Sequence, residues 1–134
     1  MSISDIEAEI IDEFSLFDDW TDKYQYIIEM GQTLPALPDA AKTAENLVRG
    51  CQAQVWLTAE KKEDIIIFRA DSDAIITKGL IAMLVRVLSH HSASEILHAE
   101  LGFITAIGLR EHLFPTRANG LNEMIKKMKR YAGT

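Results

Sequence analysis

"VWLTAEKKEDIIIFRA", residues 55 to 70, is the segment from which the architecture follows. Val55 and Leu57 alternate with Gln54, Trp56 and Thr58, the period of two that sends successive side chains to opposite faces of a strand. "EKKED" (60 to 64) interrupts this run as a polar turn, and "IIIFRA" (65 to 70) resumes it with residues suited to a pleated, half-buried surface. The pattern predicts two strands joined as an antiparallel hairpin. A third antiparallel strand is expected at Asn46 to Val48, just upstream.

Around the hairpin the period is helical. "ADSDAIITKGLIAMLVRVL" (70 to 88) opens with Ser72 or Asp73 as an N-cap and continues almost wholly apolar, so this helix belongs in the middle of the molecule. Near the start, Ser4 and Glu7 form a capping-box pattern, and Ile6, Ile10 and Phe14 predict a helix from Asp5 to about Leu16. Tyr24, Ile27 and Ile28 predict a second, stopping at Gly31. "TLPALPDAAK" (33 to 42) holds Pro35 and Pro38 and reads as an extended connector, because each proline ring removes a donor and restricts the residue before it. Downstream, Ser92 and Glu95 repeat the capping box ahead of a short helix, and another helical stretch covers Phe103 to Ile107. Gly108 and Pro115 break the chain, and Leu121, Met124, Ile125 and Met128 mark a closing amphipathic helix. No repeat or linker divides residues 1 to 134. The expected fold is a single α+β domain, with a small antiparallel sheet of about three strands packed against several helices.

Composition narrows the function. A chain of 134 residues, 48% hydrophobic, is long enough for one core. Its net charge of −6 offers no basic footprint for nucleic acid. The one basic cluster, Lys126, Lys127, Lys129 and Arg130, falls where the closing helix ends and complements its dipole. The longest apolar run, Ala74 to Leu88, is too short for the roughly 30 Å of a bilayer core and carries Lys78 and Arg86. The first residues, "MSISDIEAEIIDEF", are acidic and amphipathic, unlike a cationic secretion leader. No membrane span and a cytoplasmic location are expected.

Cys51 is the only cysteine, so neither an intramolecular disulfide nor a zinc site built from several cysteines is available. A lone cysteine is often a small buried hydrophobe. The neighbours in "NLVRGCQAQVWL" (46 to 57) suggest more: Gly50 lets a partner approach, Arg49 supplies charge that favours thiolate, and Gln52 is polar. A cysteine hydrolase needs a histidine base, but His90, His91, His98 and His112 fall in no local motif. No histidine pair has helical spacing with a further ligand close by, so no metal site is expected. Thiol transfer asks only for a reachable thiolate and a tolerable leaving group. Cys51 therefore fits a carrier of sulfur better than a self-sufficient enzyme. The alternative is a non-catalytic adaptor that binds a partner through its helices, its cysteine merely packed.

Three blocks carry a resemblance: "ENLVRGCQAQVWL" (45 to 57), "FRADSDAIITKGLIAML" (68 to 84) and "GLREHLFPTRANGLNEMI" (108 to 125). In that order they resemble consecutive signatures of the SufE family, which includes the sister group CsdE, and "DDWTDKYQYIIEMGQTLPALP" (18 to 38) is similar to its N-terminal region. The resemblance implies a sulfur acceptor that stimulates a pyridoxal-phosphate (PLP)-dependent cysteine desulfurase, SufS- or CsdA-like, during iron–sulfur cluster assembly, and that passes sulfur to a cluster scaffold. It implies Cys51 as the persulfide-accepting nucleophile, on a loop turned inward when no partner is bound. It also implies a small antiparallel sheet with flanking helices. PLP would belong to the partner, and the chain itself is expected to need no cofactor. Asp71 and Asp73, which with Ser72 read on their own as caps of the central helix, become neighbours of the cysteine loop. Arg117 becomes a polar anchor near it. Two positions depart from the family pattern: Ala53 stands where a serine is common, and the hairpin turn lacks a glycine. An iron–sulfur scaffold of the same fold would need more ligands than one cysteine. Monomer and homodimer both remain open at this point.

Overall fold

The computed structural model describes all 134 residues. Its centre is the expected hairpin, β1 (Val55–Lys62) and β2 (Ile65–Ser72), paired antiparallel from Val55 opposite Ser72 to Lys62 opposite Ile65. Glu60, Lys61 and Lys62, expected in the turn, instead extend the ladder. Their side chains are exposed at its free end, so polarity does not oppose pairing there. Only Glu63 and Asp64 turn the chain, and Glu63 takes φ 55°, the left-handed conformation for which such turns usually employ glycine.

The third strand is not where the sequence placed it. β3 is His91–Ser92, pairing with Ile65 and Ile66 on the far side of β2 to give the order β1-β2-β3. Asn46 to Val48 contributes one isolated bridge, Leu47 opposite Trp56, because residues Ala44–Asn46 curl into a 3-10 turn. A strand of two residues is too short to show alternation, which hides β3 from a periodicity argument.

Six α-helices surround the sheet. α1 (Ile3–Phe14) starts two residues earlier than expected, with Ser2 and Asp5 rather than Ser4 and Glu7 forming the capping box. α2 (Trp20–Gln32) is capped by Asp19, and the proline segment after it is extended until a 3-10 turn at Asp39–Ala41. α3 (Ile75–Leu88) is the apolar helix, with nine of its 14 residues buried. It has Ala74 at its N-cap and no side-chain cap: Ser72 and Asp73 are turned toward Gln54 instead. α4 (Ala93–His98) carries the expected Ser92–Glu95 box, α5 (Phe103–Ala106) is one turn, and α6 (Pro115–Ala132) closes the chain. Pro115 opens α6 at the position where its missing N–H costs nothing.

α3 fills the centre, against β2 with its buried Ile66 and Phe68 on one side and α2 on the other, while α6 packs on β1. The α2–α3 crossing is close enough to require glycine. A Cβ on Gly79 would overlap the Ile27 carbonyl oxygen, and one on Gly31 would stand 2.8 Å from the Gly79 nitrogen. Beside this crossing, Arg86 of α3 makes two hydrogen bonds to Glu13 of α1, 2.7 and 2.6 Å, and the hydroxyl of Tyr26 in α2 donates to the same carboxylate. The packing leaves the start of α3 and the start of α6 side by side, with the segment before β1 laid against them.

Candidate functional site

That segment is the cysteine loop. Upstream it is fastened where the Val48 N–H donates to the Val55 carbonyl at 2.8 Å. Downstream Gln54 is held from both sides: its N–H donates to Asp73 Oδ1 at 3.0 Å, while its carbonyl accepts from the Asp73 N–H at 3.2 Å and the Ser72 hydroxyl at 2.9 Å. Between these ties, residues 49 to 53 make no backbone-to-backbone hydrogen bond. Gly50 sits at φ 90°, a conformation that strains any other residue, and a Cβ there would stand 2.9 Å from Cγ of Glu123 in α6 and push that side chain aside.

Cys51 is half-buried, its Sγ directed at α6, where the thiol donates weakly to the Gly120 carbonyl at 3.6 Å. A Cβ on Gly120 would lie 3.1 Å from Sγ, so glycine at this point of the helix makes room for the sulfur. Next to Sγ is a cavity of about 110 Å³. Its walls are Cys51 to Ala53 from the loop, Ala74, Thr77 and Leu80 from α3, and Thr116, Arg117, Gly120 and Met124 from α6. Burial raises the Cys51 thiol above its ordinary value, and the nearby Glu123 carboxylate raises it further. In this conformation the group rests as a neutral thiol.

The residues named from sequence divide accordingly. Arg117 shares the cavity with Cys51, its guanidinium 5.7 Å from the centre of the exposed Phe114 ring. Asp73 secures the base of the loop rather than capping α3. Asp71 lies apart from the cavity, buried in β2, where it accepts from the N–H groups of Leu37 (3.1 Å) and Ser72 (2.8 Å) and pairs with Lys78 (3.3 Å) and Lys42 (3.6 Å). Burial pushes its carboxyl up, but those donors outweigh it and leave it below the usual carboxylate value. Arg49 does not act on the thiol here: its charge falls on Lys127, while the charge felt by Cys51 is the negative one of Glu123. Sequence reasoning missed Glu123, Gly120 and Thr77. The one available signal was Gly120, a glycine placed inside an amphipathic helix.

No histidine reaches the cavity. His91 is buried between the carbonyls of Ser89 (2.9 Å) and Met1 (3.0 Å), His112 stacks on Trp20 with ring centres 4.0 Å apart, and His98 bonds to the Ser94 carbonyl at 2.8 Å. His90 is exposed at φ 65°. The site therefore offers a sulfur nucleophile without a histidine base. No three histidine, cysteine or carboxylate side chains converge as a metal site, and no helix is long and apolar enough to cross a membrane.

A family model described as "Fe-S metabolism associated domain", SufE, matches residues 8–132. The chain belongs to the SufE family. Among similar proteins, an uncharacterised SufE-like protein of Rhizobium meliloti is 43% identical over 126 residues, covering 90% of each chain. One of Rhizobium etli is 42% identical over 129 residues, covering 92% of this chain and 87% of the relative. The fold is also that of a hypothetical protein from Thermus thermophilus solved in solution, with TM-score 0.78 at 18% identity, covering 96% of this chain and 93% of the other. Membership of the SufE family ties the chain to iron–sulfur metabolism, and Cys51, Gly50, Glu123 and Arg117 all lie within the matched residues.

Proposed function

We propose that this SufE-family chain is a sulfur acceptor and carrier. Cys51 takes the outer sulfur of a persulfide formed on a PLP-dependent cysteine desulfurase, stimulates that enzyme by clearing its product, and delivers the sulfur to an iron–sulfur cluster scaffold. One observation carries this reading: the chain's only cysteine sits on a loop whose residues 49 to 53 have no backbone ladder, beside a small cavity. In loading, the Cys51 thiolate attacks the terminal sulfur of the donor. A new S–S bond forms at Sγ as the donor's S–S bond breaks, and the donor cysteine leaves as its thiolate. The transferred sulfur keeps its oxidation state, so no electron carrier enters.

Two features make the transfer depend on a partner. The thiol at rest is protonated and turned to Gly120, and no histidine lines the cavity to deprotonate it. Docking must draw the loop outward, away from Glu123, before Cys51 becomes an effective nucleophile. A loop fastened only at Val48 and Gln54 can make that movement without breaking sheet pairs.

The test pairs stimulation with mass. Wild-type protein incubated with a desulfurase and L-cysteine is expected to gain one sulfur, removable by reductant. Cys51→Ser is expected to keep its fold and its binding to the desulfurase while losing all stimulation. Undiminished stimulation by Cys51→Ser would leave an adaptor that works through its helices, and stably bound iron would indicate a scaffold.

A further inference from the structure

The cavity beside Cys51 has two properties that a resting thiol does not use. α3 and α6 both begin at its wall, and neither has a side-chain cap or an acidic residue in its first turn. The N–H groups of Ile75, Ile76 and Thr77, and that of Thr116, donate to no protein acceptor. Of these residues Thr77 and Thr116 line the cavity, so two helix starts bring free donors and partial positive charge to its wall. Thr77 supplies the second property. It is 7% exposed, yet its hydroxyl enters none of the hydrogen bonds of the protein. No fully enclosed side-chain oxygen or nitrogen lacks a partner, so this hydroxyl opens onto free space, and the space that Thr77 lines is the cavity. A hydroxyl that has no protein partner and opens onto a cavity is free to donate to a ligand there.

We infer that the cavity holds the terminal sulfur of persulfidated Cys51 as an anion, with the Thr77 hydroxyl as its hydrogen-bond donor. This rests on the sulfur-carrier reading. The unloaded thiol is directed at acceptors on the α6 side: its S–H meets the Gly120 carbonyl, and Glu123 stands near. Those groups suit a neutral thiol and repel an anion. Adding a sulfur places a second atom about 2.05 Å beyond Sγ. A hydropersulfide is a stronger acid than its parent thiol, so at neutral pH the outer atom is charged and needs donors. The residues that line the cavity supply them: Thr77, Thr116 and Arg117. Its volume of about 110 Å³ admits the added sulfur atom and too little else for a peptide segment to follow. Thr77 is a positioning residue: it makes and breaks no bond, but it stabilises the loaded, inward state and slows sulfur loss to small nucleophiles.

Inorganic polysulfide loads Cys51 without a desulfurase. One sulfur passes to Sγ, the polysulfide leaves one atom shorter, and charge is conserved. Sulfur is then removed by cyanide and followed as thiocyanate, while iodoacetamide measures the unloaded thiol separately. Thr77→Val is expected to lose sulfur on the order of tenfold faster, the effect of one charge-assisted hydrogen bond, with the alkylation rate of its unloaded thiol unchanged. Thr77→Ser is expected to keep the wild-type rate. Equal sulfur loss from wild type and Thr77→Val, or equal acceleration in Thr77→Ser, overturns the assignment. Should Thr77→Val fail to fold, Thr77→Ala removes the same hydroxyl and is read in the same way. If Thr77 protects polysulfide-loaded protein while the desulfurase never loads wild type, the pocket stands and the carrier reading falls. Normal desulfurase loading without Thr77 protection overturns the pocket and leaves the carrier reading in place.

Discussion

Cys51 rests in surroundings that disfavour its reactive form, and the cause is spatial rather than local in sequence. Arg49, two positions away, is the natural candidate for a thiolate-stabilising charge, yet α6 brings Glu123 to the sulfur instead. Replacing that carboxylate by the neutral amide in Glu123→Gln removes one of the two influences that raise the thiol and leaves burial in place. The pH profile of iodoacetamide alkylation is expected to move to lower pH, while remaining above that of an exposed cysteine. Arg49→Ala is expected to leave the profile where it is. An unmoved profile for Glu123→Gln would assign the whole shift to burial. The uniqueness of Cys51 and the glycine before it are legible as sequence. The identity of the charge opposite it is not, because it depends on which face of a distant helix the loop meets.

Among the elements, α3 is the most demanding, since it needs both an apolar surface and a close approach to α2. Gly79→Ala must push a methyl group into the Ile27 carbonyl and so part the two helices. The expected cost is about 3 kcal/mol or more, at the upper end for overpacking, and is measurable as a lowered midpoint in urea denaturation. A loss below about 1 kcal/mol would show that the crossing relaxes easily. The apolar run of α3 is readable along the chain, whereas its cap is not, and the reason is a competition. Ser72 and Asp73 have capping chemistry, but Asp73 Oδ1 is taken by the Gln54 N–H at the end of the cysteine loop, and the Ser72 hydroxyl, which donates to the Gln54 carbonyl, accepts only from the N–H of Ala74, leaving the first N–H groups of α3 free. β3 escapes a sequence pattern for a different reason, being two residues long and recruited by the edge of β2 rather than by its own periodicity.

The molecule is held together across its elements by the Arg86 cluster as well as by the core. Hydrogen bonding from Arg86 keeps the Glu13 carboxyl below its ordinary value, with a smaller contribution from Tyr26 set against burial. A carboxyl depressed by folding contributes stability that is complete above its unfolded pKa, about 4.3, and disappears as pH falls through the folded value. Wild type is therefore expected to lose stability on acidification below about pH 4.3, and Glu13→Gln to show a shallower loss, in urea midpoints compared between neutral and acid pH. Parallel curves would remove Glu13 from the acid response. The hairpin, the apolar helix, the closing amphipathic helix and the single thiol were determined along the chain, because periodicity, turn residues and residue counts are properties of neighbours in sequence. The third strand, the role of Asp73, the carboxylate against Cys51 and the donor-lined cavity were decided only by tertiary packing. Each arises where segments far apart in sequence compete for the same backbone edge, hydrogen-bonding oxygen or patch of space, and a contest of that kind has no outcome until the chain is folded.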